Sequence, residues 1–171
     1  RGGRLFTVLK LRTLSPDSPC NADKYAVASM QSTRLCRFLR RTHLDELPQL
    51  LLVPLGQMSL VGPRPEMPWL LERFDRQFVA ARSSVRPGCS GLWQVSRDVD
   101  KLIGEVPEYD LYYLSHAGVR LDLWILWRTV LSFVGLGRPV TCADVPLWAL
   151  AVRPDPAAFP PLVDIRLGTE P

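Results

Sequence analysis

Residues 40–68 read RRTHLDELPQLLLVPLGQMSLVGPRPEMP, and the interpretation of the whole chain depends on this stretch. Two adjacent acids, Asp45 and Glu46, are followed by Pro48, and the stretch ends in a proline-rich basic turn around Arg64. Because proline lacks a backbone N–H, it suits the first turn of a helix, so Pro48 predicts a helix that begins near Asp45. The positive end of such a helix stabilises carboxylates, and its free N–H groups can hold phosphate.

Two interpretations of these residues compete. Carboxylates next to Arg40 and Arg41, with free amides nearby, suit phosphate chemistry assisted by a divalent cation. The alternative is an acidic N-cap on an ordinary surface helix, because Thr42 and Asp45 have the spacing of a capping box. These few residues alone favour the N-cap. His43 is predicted to be a surface or capping residue.

Length and composition indicate one globular domain. With 171 residues the chain can bury a sizeable core, and 47% hydrophobic against 22% charged residues excludes a disordered chain. The net charge of +4 favours an anionic partner, which could be a nucleotide, a lipid phosphate, an anionic membrane or a nucleic acid. The four cysteines form no CxxC pair, which argues against a zinc site and predicts reduced thiols. No apolar run reaches the roughly 20 residues needed to span a bilayer.

The first segment has the alternation of a β-strand. Residues 4–14 place Phe6 and Val8 on the same face as Lys10 and Arg12, after a plausible Gly-Gly turn, so a short N-terminal β-hairpin is expected. Two cations on one strand face could point into an anionic site. A solvated edge strand is the alternative.

Several helices follow from the apolar periodicity. A short basic helix over residues 33–41 and an apolar helix over residues 119–134 could each lie on a lipid surface, although a solvated basic face and a core helix are the alternatives. Leucines 47, 50, 51 and 52 are predicted to be core residues of the helix from Asp45. Residues 69–84 predict a further amphipathic helix. Residues 138–171 contain many prolines and predict an extended, partly disordered tail.

Four groups of segments occur in a fixed order along the chain: FTVLKLRT (6–13), LDELPQL (44–50) with MSLVGPRPE (58–66), RPGCSGLWQV (86–95), and YDLYYL (109–114) with DLWIL (122–126). Together they resemble the bacterial sugar transferase family, the monotopic polyprenyl-phosphate phosphoglycosyltransferases. The resemblance covers about residues 1–135. A single short motif would be weak evidence, but several long ones in order are much more specific.

The resemblance implies a mainly α fold with a short N-terminal β-hairpin, that is, a compact α+β catalytic domain over residues 1–137 with amphipathic interfacial helices. It implies an enzyme that moves a sugar-1-phosphate from a nucleotide diphosphate sugar, such as a UDP-sugar, to polyprenyl (undecaprenyl) phosphate in exopolysaccharide assembly. Asp45 would be the nucleophile that forms a covalent phosphosugar intermediate, and Glu46 would act as acid/base. Both would hold Mg²⁺. The substrate-binding and phosphate-binding residues would be Lys10, Arg12, Arg40, Arg64, Glu66, Arg97 and Asp110.

The sequence also departs from the family pattern. Family members carry a re-entrant membrane helix before the FxxxKxRT segment, and we expect this chain to lack it. A glycine that usually precedes the arginine of the SGR segment is missing before Arg97. The expected location is the cytoplasmic face of the bacterial inner membrane, or the cytoplasm for this chain alone, and a homodimer is possible. Two other hypotheses remain. The chain could be a non-catalytic remnant of the family, or a basic nucleic-acid-binding module, although the sequence contains no recognisable nucleic-acid-binding motif.

Overall fold

The computed structural model describes residues 2–14, 18, 25, 27 and 33–150. It contains helices and a small sheet, so the predicted α+β class is confirmed. The α-helices are α1 (Arg34–Arg41), α2 (Pro68–Leu71), α3 (Arg76–Ser83), α4 (Glu108–His116) and α5 (Val119–Phe133). The strands are β1 (Ser59–Val61) and β2 (Gly88–Ser90), and the 3₁₀ helices are Leu44–Leu52, Trp93–Val95, Cys142–Asp144 and Leu147–Ala149.

The predicted N-terminal β-hairpin is not confirmed among the residues that the structure describes. The two described strands pair in parallel, with Ser59 opposite Gly88 and Val61 opposite Ser90. Gly2 and Gly3 do form a turn, at φ of 65° and 71°, but residues 4–13 belong to no helix or strand. Period-2 alternation predicts an extended chain but not a partner, and no described strand lies beside this segment.

Strands β1 and β2 lie unusually close at a glycine. A Cβ on Gly88 would sit 2.1 Å from the backbone nitrogen of Gly62, so no larger residue fits there without displacing the chain. The Gly88 N–H also donates to the Pro63 carbonyl at 2.9 Å. The glycine therefore holds the turn around Arg64 against the start of β2.

Helices α4 and α5 supply much of the core. Their buried hydrophobic and aromatic side chains are Tyr109, Tyr113, Leu114, Leu121, Trp124 and Ile125. Val140, Val145 and Ala149 are also buried in this core, so the prediction of an extended tail is wrong for residues 138–150. Residues 151–171 lie outside the described part of the chain, and the domain boundary at residue 137 stays a prediction.

The leucines after Asp45 are mostly not core residues, contrary to prediction. Leu52 is buried, but Leu47, Leu50 and Leu51 are 48%, 44% and 63% exposed. Their helix forms at the predicted place but is a 3₁₀ helix with Pro48 inside it. The spacing of the leucines shows that one face of the helix is hydrophobic. It does not identify which other part of the structure covers that face.

The other helix predictions are largely confirmed. Helix α5 matches the predicted range, and α1 begins after Thr33, whose hydroxyl accepts from the Cys36 N–H at 3.2 Å. The single helix predicted over residues 69–84 is instead two helices. Asp75 separates them because its carboxylate caps α3, accepting from the N–H groups of Gln77 and Phe78.

Candidate functional site

The two acids lie in the first turn of the 3₁₀ helix Leu44–Leu52. The Asp45 carbonyl accepts a hydrogen bond from the Leu11 N–H at 2.8 Å, which ties the extended N-terminal segment to this helix. The predicted capping box is wrong, because the Thr42 hydroxyl donates to the Phe38 carbonyl instead. The two acids therefore form no capping box with Thr42.

Two predicted site residues, Lys10 and Arg64, meet at the carboxylate of Glu46. The Arg64 guanidinium donates two hydrogen bonds to the Glu46 carboxylate, at 3.1 Å and 2.5 Å, and the Lys10 ammonium donates a third at 2.8 Å. The proline on each side of Arg64 limits the backbone conformations of the turn, which lowers the entropy cost of holding the guanidinium in place. These residues form what we call the Glu46 cluster: Lys10, Asp45, Glu46 and Arg64.

The pKa values of the two neighbouring carboxylates are shifted in opposite directions. Burial by itself raises the pKa of Glu46, but Arg64 and Lys10 outweigh it and lower the pKa to about 2. Asp45 is buried and lies beside the negative Glu46, and both effects raise its pKa despite the opposing charge of Lys10. Environments that separate the pKa values of adjacent acids often give them different roles.

His43 belongs to this site, although the sequence indicated only a surface or capping role. Its φ of 53° makes it the one described residue other than glycine in the left-handed region, a conformation that is often found at functional sites. Burial has the largest effect on the pKa of His43 and lowers it. Arg64 and Lys10 also lower this pKa, whereas Glu46 and Asp45 raise it. The ring also packs 6.3 Å from that of Phe133, so it connects the site to the end of α5.

Asp110 lies behind the cluster rather than in it. It is 3% exposed, too buried to contact a substrate directly, and its partner is the equally buried Arg82 at 3.1 Å. Arg82 also donates to the Arg64 carbonyl at 2.7 Å. Glu66 lies near enough to influence the pKa of both Arg64 and Asp110. Sequence reasoning missed Arg82, because an arginine in an amphipathic helix ordinarily faces solvent.

Two of the remaining predicted cations, Arg12 and Arg97, are not joined to the cluster by a described side-chain contact. Arg97 is 69% exposed and pairs with the adjacent Asp98 at 3.6 Å. Arg12 is exposed on the extended segment. Arg40 is near the site through its backbone, since its carbonyl accepts from the His43 N–H at 3.2 Å. The roles of these three residues stay predictions.

The donor set for a metal is small. Within residues 2–14 and 33–150 and the three isolated described positions, no group of three or more His, Cys, Asp or Glu could hold a metal ion. Both oxygens of Glu46 already accept hydrogen bonds from cations, whereas no described side chain bonds the Asp45 carboxylate. Magnesium needs only one or two protein carboxylates when substrate phosphates supply other ligands, which Asp45 and Glu46 could provide, so their metal-binding role stays a prediction.

Other global features bear on the site's surroundings. No helix in the described part of the chain is long and apolar enough to cross a membrane. Cys36, Cys89 and Cys142 are free thiols, as predicted, while Cys20 lies outside the described residues. Cys89 lies close enough to Glu46 for that carboxylate to add to the effect of burial in raising the pKa of the thiol.

Comparison with known proteins gives consistent similarities. The profile of a family described as bacterial sugar transferase matches residues 1–135. An Aeromonas hydrophila UDP-N-acetylgalactosamine-undecaprenyl-phosphate N-acetylgalactosaminephosphotransferase is 36% identical over 137 residues, which cover 76% of this chain and 32% of that protein. A Caulobacter vibrioides UDP-glucose:undecaprenyl-phosphate glucose-1-phosphate transferase is 38% identical over 145 residues, covering 78% of this chain and 53% of that protein. The chain thus spans between about a third and a half of the length of these relatives.

Proposed function

Since the chain belongs to the bacterial sugar transferase family, we propose that it transfers a sugar-1-phosphate from a UDP-sugar to undecaprenyl phosphate, as the first membrane step of exopolysaccharide assembly. The observation that carries the proposal is the Glu46 cluster. One carboxylate, Asp45, lies beside a second carboxylate that holds an arginine fork and a lysine. Arginine and lysine side chains are the usual protein ligands of phosphate oxygens.

The two carboxylates, Asp45 and Glu46, have different roles in the proposed reaction. Asp45 has a raised pKa and no described side-chain partner, which keeps its oxygens basic and available as a nucleophile. Glu46 has a pKa of about 2 and stays ionised at neutral pH, so it holds Lys10 and Arg64 in place rather than giving up a proton. This assignment replaces the acid/base role predicted for Glu46.

The reaction proceeds by two displacements at one phosphorus atom. A carboxylate oxygen of Asp45 attacks the phosphorus bonded to the sugar, and the bond from that phosphorus to the bridging oxygen breaks, so that UMP leaves with the electron pair. A phosphate oxygen of undecaprenyl phosphate then attacks the same phosphorus. The aspartyl phosphate bond breaks, the carboxylate is restored, and the product is a sugar diphosphate lipid. Lys10 and Arg64 offset the negative charge that moves between oxygens in each displacement.

Magnesium is part of this proposal. Asp45 would hold it together with the diphosphate of the substrate, and the ion, when bound, would neutralise phosphate charge. Every protein contact described above is formed by the chain's own residues and does not depend on the ion.

The nucleophile is tested by trapping the intermediate. Wild-type protein incubated with a UDP-sugar labelled with ³²P at the sugar-bound phosphate should retain label after acid denaturation, and Asp45→Asn should retain none. Asp45→Asn should also lower UMP release by about a thousandfold or more, as for other enzymes that lose a covalent nucleophile. Asp75→Asn, at the helix cap outside the cluster, is the matched control. Undiminished UMP release by Asp45→Asn would refute the nucleophile, and no release by wild type would favour a non-catalytic remnant.

The lipid acceptor lies in a membrane, so the protein must contact a membrane surface. We assign this contact to the exposed apolar residues around the site. Helix α5 carries a one-sided stripe at spacings of three and four residues, all more than half exposed: Val119, Leu123, Trp127 and Val130. Helix α1 adds Leu35 and Phe38 between exposed arginines. The contact between His43 and Phe133 brings the end of α5 to the Glu46 cluster. Apolar residues with flanking cations are typical of helices on an anionic bilayer, which supports the cytoplasmic face of the inner membrane as the location.

Vesicle sedimentation tests this surface. The wild-type chain should sediment with vesicles that contain phosphatidylglycerol, and Leu123→Glu should weaken that binding. Gln77→Glu adds the same charge on α3, outside the stripe, and should have little effect. Equal losses in both variants would indicate that net charge alone drives binding and would refute the assigned surface.

A further inference from the structure

A buried ion pair lies directly beneath the turn that carries Arg64. Arg82 and Asp110 have side chains only 5% exposed, and their charged groups are 3.1 Å apart. Arg82 comes from the last turn of α3 and Asp110 from the first turn of α4. The guanidinium also packs 5.4 Å from the centre of the Phe78 ring. The pair thus occupies the junction between two helices, just behind the Glu46 cluster.

A contribution to folding stability does not explain why this ion pair is buried. Moving two charges out of water is expensive, and well-packed apolar residues often serve as well or better in such a position. The Nη1 atom of Arg82 is buried without a hydrogen-bond partner among the described residues, which adds to the cost. A buried arginine with an unsatisfied donor therefore suggests a task other than holding α3 against α4.

The contact made by the other guanidinium nitrogen identifies that task. Nη2 of Arg82 donates to the Arg64 carbonyl at 2.7 Å. That carbonyl belongs to the peptide plane between Arg64 and Pro65, and the proline already restricts the residue before it to extended conformations. A fixed carbonyl and a restricted backbone hold the Cα–Cβ bond of Arg64 in place, and from there the side chain reaches Glu46.

We infer that Arg82 and Asp110 are positioning residues that hold the Arg64 fork in the orientation needed to bind the phosphates of the nucleotide sugar. Neither residue contacts the substrate. Asp110 holds Arg82, Arg82 holds the Arg64 carbonyl, and Arg64 binds Glu46 and the incoming phosphate. This inference rests on the proposed function, because it takes a phosphate to be what Arg64 binds.

A double-mutant cycle tests the inference. Arg82→Met should lower kcat/KM for UMP release by about ten- to a hundredfold, since small displacements of a binding group can have effects of that size. In the Arg64→Ala background the same change should cost no more than about twofold, because the residue through which Arg82 acts is gone. Arg76→Met, on the exposed first turn of α3, is the matched control and should be without effect in either background.

Two further measurements keep the test decisive. Asp110→Asn preserves shape, so it should lower activity in the same direction even if Arg82→Met unfolds, and thermal unfolding of each variant records its folding. The same cycle measured by calorimetric binding of UDP does not require turnover, so it distinguishes a failure of the inference from a failure of the proposed reaction. Equal losses from Arg82→Met with and without Arg64, in a folded protein, would refute positioning and leave only a structural role.

Discussion

Replacing Glu46 with glutamine removes the charge that two cations share but keeps the shape of the side chain. In the wild-type protein this carboxylate is 14% exposed and accepts hydrogen bonds from Arg64 and Lys10. The two cations lower its pKa from the ordinary 4.5 to about 2, despite the opposing effect of burial. At roughly 1.4 kcal/mol for each pH unit, that difference corresponds to about 3 kcal/mol of folding free energy.

The sign of the pH dependence follows from proton binding. Between about pH 5 and pH 2 the unfolded chain holds a proton on Glu46 and the folded chain does not, so stability rises with pH across this window. The contribution is complete above about pH 5 and is lost as the pH falls toward 2. The difference in free energy of unfolding between wild type and Glu46→Gln should therefore shrink from about 3 kcal/mol at pH 7 to near zero at pH 2.

Urea denaturation followed by tryptophan fluorescence at several pH values measures this difference. Taking the difference between two proteins cancels the titration of carboxylates that Glu46 does not influence, including the buried Asp110, whose raised pKa acts in the opposite direction. Asp45 is the exception, because Glu46 contributes to raising its pKa. Glu72→Gln removes an exposed carboxylate outside the cluster and should reproduce the pH dependence of wild type. A Glu46→Gln difference that stays constant from pH 7 to pH 2 would refute the charge sharing described for Lys10, Glu46 and Arg64.

Three other changes probe the geometry around the site. Arg64→Lys keeps the charge but loses the two-pronged contact with the glutamate, so kcat/KM for UMP release should fall by about ten- to a hundredfold, with far-UV circular dichroism unchanged. Leu52→Ala should cost about 2–5 kcal/mol in urea denaturation, whereas the exposed Leu51→Ala should stay within about 0.5 kcal/mol, and similar costs would contradict their difference in burial. Gly88→Ala should cost about 3 kcal/mol or more, measured in the same way, because its new methyl group would meet the Gly62 backbone at 2.1 Å.

Local signals in the sequence were sufficient for much of the fold. The mixture of apolar and basic residues over 33–41 predicted α1, and apolar periodicity predicted α5. Pro48 and the acids before it predicted a helix at the correct place, although the proline now lies inside a 3₁₀ helix. Each of these features depends on residues within one or two turns of each other, which is the range over which propensity and capping act.

What could not be predicted depends on contacts between distant segments. The leucines near residue 50 have the spacing of a buried face, but most of them are exposed, because periodicity reports an apolar face and not its neighbour. The sequence did not distinguish Arg82 from the surface arginines, because its burial depends on its contact with Asp110 of α4. The N-terminal segment has the alternation of a strand, yet its only described backbone bonds are single ones, from Gly2 to Ser83 and from Leu11 to Asp45.

The resting arrangement of the Glu46 cluster also suggests how it receives a substrate. An arginine side chain has five N–H donors, and Glu46 uses only two of those on Arg64, while the Lys10 ammonium uses one of its three. Both cations can therefore bind phosphate oxygens without releasing Glu46. The carboxylate then holds the cations in place before and after the diphosphate arrives, so little reorganisation is needed, and electrostatic stabilisation is most effective when the charges are already fixed. On this reasoning Glu46 remains paired throughout the reaction cycle, and Asp45 is the carboxylate of the pair whose bonding changes.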